Sequence, residues 1–434
     1  MSELPGLVVH NAAEVVTMAG GLRRGSAQAE IGAIDGNGAV AAYEGRIVAV
    51  GRLDDVERQV EGMGIAASSV ARLDAMGGVV TPGLVDPHTH LLFAGTRQAE
   101  VELRQTGHGY LDILAAGGGI LQTVRETRAA PDEVVLANAR RWLAEMLSHG
   151  VTTVEVKSGY GLTADEELRL LRLAGLLAAE GPLDVVPTFL GAHAVPPEFR
   201  GRDDAAAGYM ANVIDEQLPR VAEQGIATSC DVFCERGVFD VELSRRLLAR
   251  AKGLGLGARL HADQLNPTGG AELAAEMGAL SADHLGGVSQ TGIAALAAAA
   301  DAGAPVVATL LPISAFYLDE PHYAPARALV DAGVPVAVGT DFNPGTSPAP
   351  NAQLALAYAI HRLRLTAAEA LAAMTINAAA ALGLSQTHGS LEEGKLADLV
   401  VWKTDSYTLL PYWLGANLVQ SVVKMGRTVF EAPV

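Results

Sequence analysis

From Val79 to Leu382 the chain alternates short apolar runs with amphipathic ones, and few architectures can accept so long a series. Runs at 79–85, 151–156, 183–190, 230–234, 258–261, 280–284, 305–310 and 336–341 read as strands, being apolar and bounded by turn residues. Helical patterns at 133–149, 164–179, 211–224, 240–252, 268–277, 290–301 and 324–332 separate them, and 350–363 and 367–382 close the series. Thr163 with Glu166 three residues on forms the start signal of the second helix. Pro187 is awkward within a central strand and blurs the limits of that run. Eight strand–helix units predict an α/β fold, a closed (β/α)8 TIM-type barrel, with a doubly wound open sheet as runner-up.

Both ends of the chain read differently. Residues 7–18 carry no helical stripe, and 39–43 with 46–50 form two short strands around the Glu44-Gly45 turn. At the far end 397–402, 421–424 and 427–430 are also strand-like. Small hairpins are rarely stable alone, so the two termini are expected to pair into one small β-sandwich. The predicted division is 1–79 for the first part of the sandwich, 80–385 for the barrel and 386–434 for the second part of the sandwich.

The end of the first strand concentrates the chemistry. His88 and His90 in Asp86-Pro87-His88-Thr89-His90 lie at i and i+2, so on an extended backbone both point the same way and can grip one ion. His261, His284 and Asp341 follow the fifth, sixth and eighth strands. Those ends converge only if the sheet closes. The expected cofactor is one divalent ion, Zn²⁺ or Fe²⁺, on His88, His90, His261 and Asp341, with a position left for water. Asp341 could also take a proton from that water, and His284 would orient it and stabilise an oxyanion. Alternatively, His284 is a supporting histidine bonded to Asp283 or to backbone. A second ion would need a bridging group, and the fourth strand offers no lysine for one; Lys157, on the second strand, is expected to pair with Glu155 or to support the turn after it.

A formal net charge of −18 argues against nucleic-acid binding, which needs basic surface. No apolar run reaches the roughly 18 to 20 residues of a membrane span, and no basic-then-apolar leader opens the chain, so a cytoplasmic enzyme is expected. Cys230 and Cys234 are read as buried small hydrophobes. The segment from Leu91 to Pro131 is long for a connection and carries Arg97, His108, Tyr110 and a run of three glycines, which suits recognition at the catalytic face.

Beyond these patterns, several stretches carry a resemblance: Thr81-Pro82-Gly83-Leu84-Val85-Asp86 with His88-Thr89-His90, Phe93 to Arg97, Lys157-Ser158-Gly159-Tyr160-Gly161, Phe189 to His193, His261-Ala262-Asp263-Gln264, Ser281 to His284, and Thr340 to Pro348. The chain resembles the amidohydrolase superfamily, and within it the branch that opens the cyclic amide of 4-imidazolone-5-propionate to N-formimino-L-glutamate in histidine degradation. The resemblance implies a small anionic heterocyclic substrate contacted by Arg97, Tyr160 and His193, with Tyr110 a further candidate, and a pocket wall of Asn343, Gly345 and Thr346 behind Asp341. A homodimer is common among such barrels.

Gln264 separates neighbouring reactions. Related deaminases place a glutamate three residues after the fifth-strand histidine to shuttle protons, which an amide cannot do. Gln264 would instead hold the imidazolone ring, and this speaks against deamination.

Overall fold

The computed structural model describes residues 6–107 and 118–433. Strands β1 (Gly6–Val16), β2 (Ala33–Tyr43), β3 (Arg46–Arg52), β4 (Val70–Asp74) and β5 (Val79–Pro82) come first. The central eight are β6 (Leu84–Asp86), β7 (Val151–Lys157), β8 (Asp184–Ala192), β9 (Ser229–Cys234), β10 (Gly257–Ala262), β11 (Ser281–His284), β12 (Val307–Leu310) and β13 (Val336–Val338). The last are β14 (Leu399–Trp402), β15 (Val419–Lys424) and β16 (Arg427–Glu431).

Strands β6 to β13 pair in chain order, all parallel, as expected of a (β/α)8 barrel. Closure runs through the metal-type motif itself. Asp341 N–H donates to His88 C=O at 3.0 Å and His90 N–H to Phe342 C=O at 2.9 Å, joining the end of the eighth strand to that of the first. Beneath them Thr340 donates to the buried Asp86 carboxylate through its backbone N–H at 3.1 Å and its hydroxyl at 2.5 Å.

The remaining strands form one mixed sheet, ordered β16-β15-β14-β5-β1-β2-β3 with β4 against β1, which builds the small β-sandwich from both termini. Alternation along β1 decides its two faces. Leu7 and Val9 join a core with Val401 and Val423, while Val8 faces Val56 and Val60 of a helix at Leu53–Gly62. That helix and β4 went unforeseen in the sequence, although Leu53, Val56 and Val60 have helical spacing.

The helices depart from expectation in three places. The helix expected at 211–224 starts at Ala205 and widens into a π-turn over Val213–Gln217, just before Pro219, which has no N–H to offer the carbonyl four residues earlier. The helix expected at 367–382 breaks between Ala373 and Ile376, because the Met374 carbonyl turns to accept from Val85 N–H at 2.8 Å. The 91–131 connection contains helices Ala99–Gln105 and Ile120–Ala129. Pro187 sits inside β8 without cost, since its carbonyl and missing N–H face β9 at a level where the ladder begins only with Thr188.

Cys230 and Cys234 are free and buried, and burial pushes the Cys234 thiol up to about 11. Among the described residues no helix is long and apolar enough to cross a membrane.

Candidate metal centre

Inward-facing positions of the barrel strands carry an unusual load of polar side chains. Glu155 and Lys157 on β7, Asp231 on β9, Arg259 and His261 on β10 and Asp283 on β11 alternate with apolar residues that pack outward, and all are buried. By that alternation His284 should point away from the mouth. Its backbone instead adopts φ 74°, and Asp341 after β13 adopts φ 55°. Left-handed backbone at a side chain costs roughly 1–2 kcal/mol and turns each group over the barrel opening.

His88, His90, His261 and Asp341 converge there. His90 Nε2 lies 3.3 Å from both His88 Nε2 and His261 Nε2, and Asp341 Oδ1 lies 3.5 Å from the Nε2 atoms of His88 and His90. Behind them two carboxylates hold the far ring nitrogens. Asp283 Oδ2 is 2.7 Å from His88 Nδ1, and Asp231 Oδ2 is 3.0 Å from His261 Nδ1. A carboxylate at Nδ1 keeps a proton on that nitrogen, so Nε2 presents a lone pair.

Several lone pairs within van der Waals distance repel unless a cation lies among them. Burial holds His88, His90 and His284 well below the ordinary imidazole range, so none of these three supplies one by protonation. Burial also pushes the Asp341 carboxyl up to about 7, against the pull of His261. His90 Nδ1 is buried with no hydrogen-bond partner. Borderline divalent ions favour such a set of imidazole nitrogens and one carboxylate, so these residues fit one. His284 stands beside the set, its nitrogen within 4.8 Å of those of His88 and His261.

A cavity opens over the cluster. His90, Arg97, Tyr160, His193, Gln264 and His284 line it, together with Asp341, Asn343 and Thr346. The His193 ring stacks on His90 with centroids 4.8 Å apart and planes 14° from parallel. Its Nδ1 donates to the Gly159 carbonyl at 3.0 Å, and burial lowers its pKa to about 3, so a neutral ring turns an accepting Nε2 away from that anchor. The Arg97 guanidinium forks onto Glu100 at 3.0 and 2.8 Å and lies against Gly345, where any Cβ would collide with it. Asn343 spends its amide on the turn after Asp341, donating to Asp341 C=O and accepting from the N–H groups of Gly345 and Thr346. Tyr110 and His108 lie outside the described residues.

Sequence reasoning missed the supports. Asp231, Asp283 and Arg259 were legible as charges inside apolar strands, which are rare without partners. Glu167 gave no such sign. From the helix Ala164–Glu180 it reaches back to accept from the N–H groups of Gly159, Gly161 and Leu162 at 2.7 to 3.2 Å, fixing the turn that carries Tyr160. Gly161 is required there, since a Cβ would lie 2.6 Å from Glu167 N. Asp263 similarly takes the N–H groups of Thr268, Gly269, Gly270 and Ala271, heading the helix Gly270–Met277 beside Gln264.

Residues 79–429 match the model of the amidohydrolase family. The chain is 49% identical to the imidazolonepropionase of Symbiobacterium thermophilum over 98% of its own length and 97% of the relative's. It is 46% identical to that of Geobacillus kaustophilus with the same coverage. Among solved structures a triazine hydrolase variant superposes with a TM-score of 0.75 at 20% identity, covering 98% of this chain and 95% of that one. Guanine deaminase of E. coli superposes at 0.71 and 16%, covering 99% and 100%. These two share the fold. On its sequence matches along nearly the whole length, the chain belongs to the amidohydrolase family and, within it, to the imidazolonepropionases.

Proposed function

We propose that the chain hydrolyses the cyclic amide of 4-imidazolone-5-propionate to N-formimino-L-glutamate. The observation that carries this reading is the cluster of Nε2 atoms and Asp341, set beneath a cavity lined by Arg97, Tyr160, His193 and Gln264. The ion is Zn²⁺ or Fe²⁺, held by His88, His90, His261 and Asp341. When bound, such an ion acidifies a water and polarises a carbonyl oxygen. A single ion suits the site, because Asp231 on the fourth barrel strand is engaged by Lys157 at 2.7 Å.

The chain's own groups then divide the work. Asp341 takes one proton from the attacking water, whose oxygen bonds to the lactam carbon, and passes it to the ring nitrogen as the C–N bond breaks. Neutral His284 orients the water and donates to the developing oxyanion. His193 accepts a hydrogen bond from a ring N–H, while Gln264 can both donate and accept at the ring. Arg97, its fork already aligned by Glu100, and Tyr160 take the propionate end. Tyr110 is assigned to that end by the resemblance alone. Asn343, Gly345 and Thr346 form the wall behind Asp341.

Freshly generated 4-imidazolone-5-propionate, given to enzyme of known metal content, tests the reading. Metal-dependent formiminoglutamate above spontaneous decay is expected. No acceleration by a folded, metal-loaded sample would overturn the substrate and send the search to other acidic lactams, then to aminated rings.

A further inference from the structure

We propose that Lys157 is a positioning residue for the ion, acting through Asp231 and Asp283 on two of the ligating histidines at once. The inference rests on the reading that His88, His90, His261 and Asp341 hold that ion. Lys157 ends β7 with no exposed side-chain surface, and its Nζ lies 2.7 Å from Asp231 Oδ2, 2.8 Å from Glu155 Oε2 and 3.8 Å from Asp283 Oδ2. Lysines near a surface run their ammonium out to water. This one points into the barrel axis, where β7, β9 and β11 each supply it a carboxylate.

Two of those carboxylates are the ones behind the imidazoles. Asp231 faces His261 Nδ1 and Asp283 faces His88 Nδ1, so one ammonium links the supports of two ligands that come from different strands. Arg259 closes the layer, with Nε 3.0 Å from Glu155 Oε1 and Nη2 3.5 Å from Asp283 Oδ2. Three carboxylates thus share two cations, leaving one net negative charge directly behind the imidazoles. Without Lys157, Asp231 and Asp283 would repel across the barrel and turn from the rings they orient. Burial works against the lysine charge, but Asp231 and Glu155 outweigh it and hold its pKa above the ordinary lysine value.

Outer partners of metal-bound histidines typically govern affinity by about 10- to 100-fold. Removing Lys157 alone would strand a buried charge, so the informative variant is Lys157→Met with Glu155→Gln, which conserves net charge while deleting the bridge. Zinc affinity is measured by competition with a chromophoric chelator, against Glu155→Gln as reference, with circular dichroism and a thermal melt to establish folding.

The double variant is expected to fold and to bind zinc about 10- to 100-fold more weakly than the reference, with an altered visible spectrum when loaded with Co²⁺. A folded double variant with reference affinity and an unchanged cobalt spectrum would overturn the proposal. Should it not fold, Lys157→Arg decides: the charge stays but the bulkier fork displaces Asp231 and Asp283, so weaker zinc binding with an altered Co²⁺ spectrum supports the proposal, and wild-type values overturn it. Wild-type protein that takes up neither zinc nor iron would remove the metal reading itself, whereas normal uptake with insensitive variants removes only the role of Lys157.

Discussion

Asp283 and His284 are neighbours in sequence that serve the centre from opposite sides. Asp283 points into the barrel and meets His88 Nδ1 at 2.7 Å, whereas His284, turned by its φ of 74°, faces the cavity above. One group behind the imidazoles and one lining the cavity thus come from a single strand end.

Asp341→Asn keeps the size of the side chain and removes both its charge and its capacity to carry a proton. Turnover is expected to fall by at least about 100-fold, in line with the loss of a general acid–base group. Steady-state assays at matched metal content check this, and near-normal activity in a metal-loaded variant would refute the assignment.

Stripping the ion should abolish activity and lower the melting temperature, since the lone pairs packed at 3.3 Å then face one another. An ion present at 100 times its dissociation constant stabilises the fold by about 2.7 kcal/mol. Melts of chelated and zinc-restored enzyme measure the difference; identical melts would argue that the ligands are not preorganised for an ion.

Glu167→Gln turns one carboxylate oxygen into an N–H group facing the backbone N–H donors of the Gly159–Leu162 turn. A loss of about 1–3 kcal/mol is expected from the unmatched donors. The turn also anchors His193 through the Gly159 carbonyl, so KM should rise along with the loss of stability. Chemical denaturation with paired kinetics tests both; a stability loss without any change in KM would separate Glu167 from the pocket.

Asp184 on β8 joins the barrel to the sandwich by accepting from Lys424 Nζ at 2.7 Å and from His388 Nε2 at 2.7 Å, and Lys424 also reaches Asp398 at 2.6 Å. Burial opposes the Asp184 charge, but His388 and Lys424 outweigh it and hold its pKa below the ordinary 3.8. A depressed carboxylate contributes stability that is complete above its unfolded-state pKa and lost as pH falls through the folded value. Stability should therefore drop below about pH 4, and Lys424→Met should diminish that acid-dependent part, as read by denaturation at pH 3 and pH 6. An unchanged pH slope in the variant would show that other carboxylates govern the acid limb.

Periodicity was enough to expose the barrel, and residue type at the strand ends the candidate site. Strand and helix patterns repeat along 79–382, and a histidine or aspartate at a strand end is visible one residue at a time, as with His88, His90, His261, His284 and Asp341. Closure of the barrel then follows from where those residues must meet.

What only the tertiary structure decided is the set of contacts between residues far apart in the chain. Asp231 and Asp283 meet one lysine from separate strands, Asp283 reaches back to His88, and Lys424 reaches Asp184. The helix break at Met374 likewise depends on Val85, nearly three hundred positions away. Local sequence encodes periodicity, caps and turn chemistry, because those interactions join near neighbours. Which buried charge faces which partner depends on the closed barrel, which first brings the inward side chains of different strands within a hydrogen bond of one another.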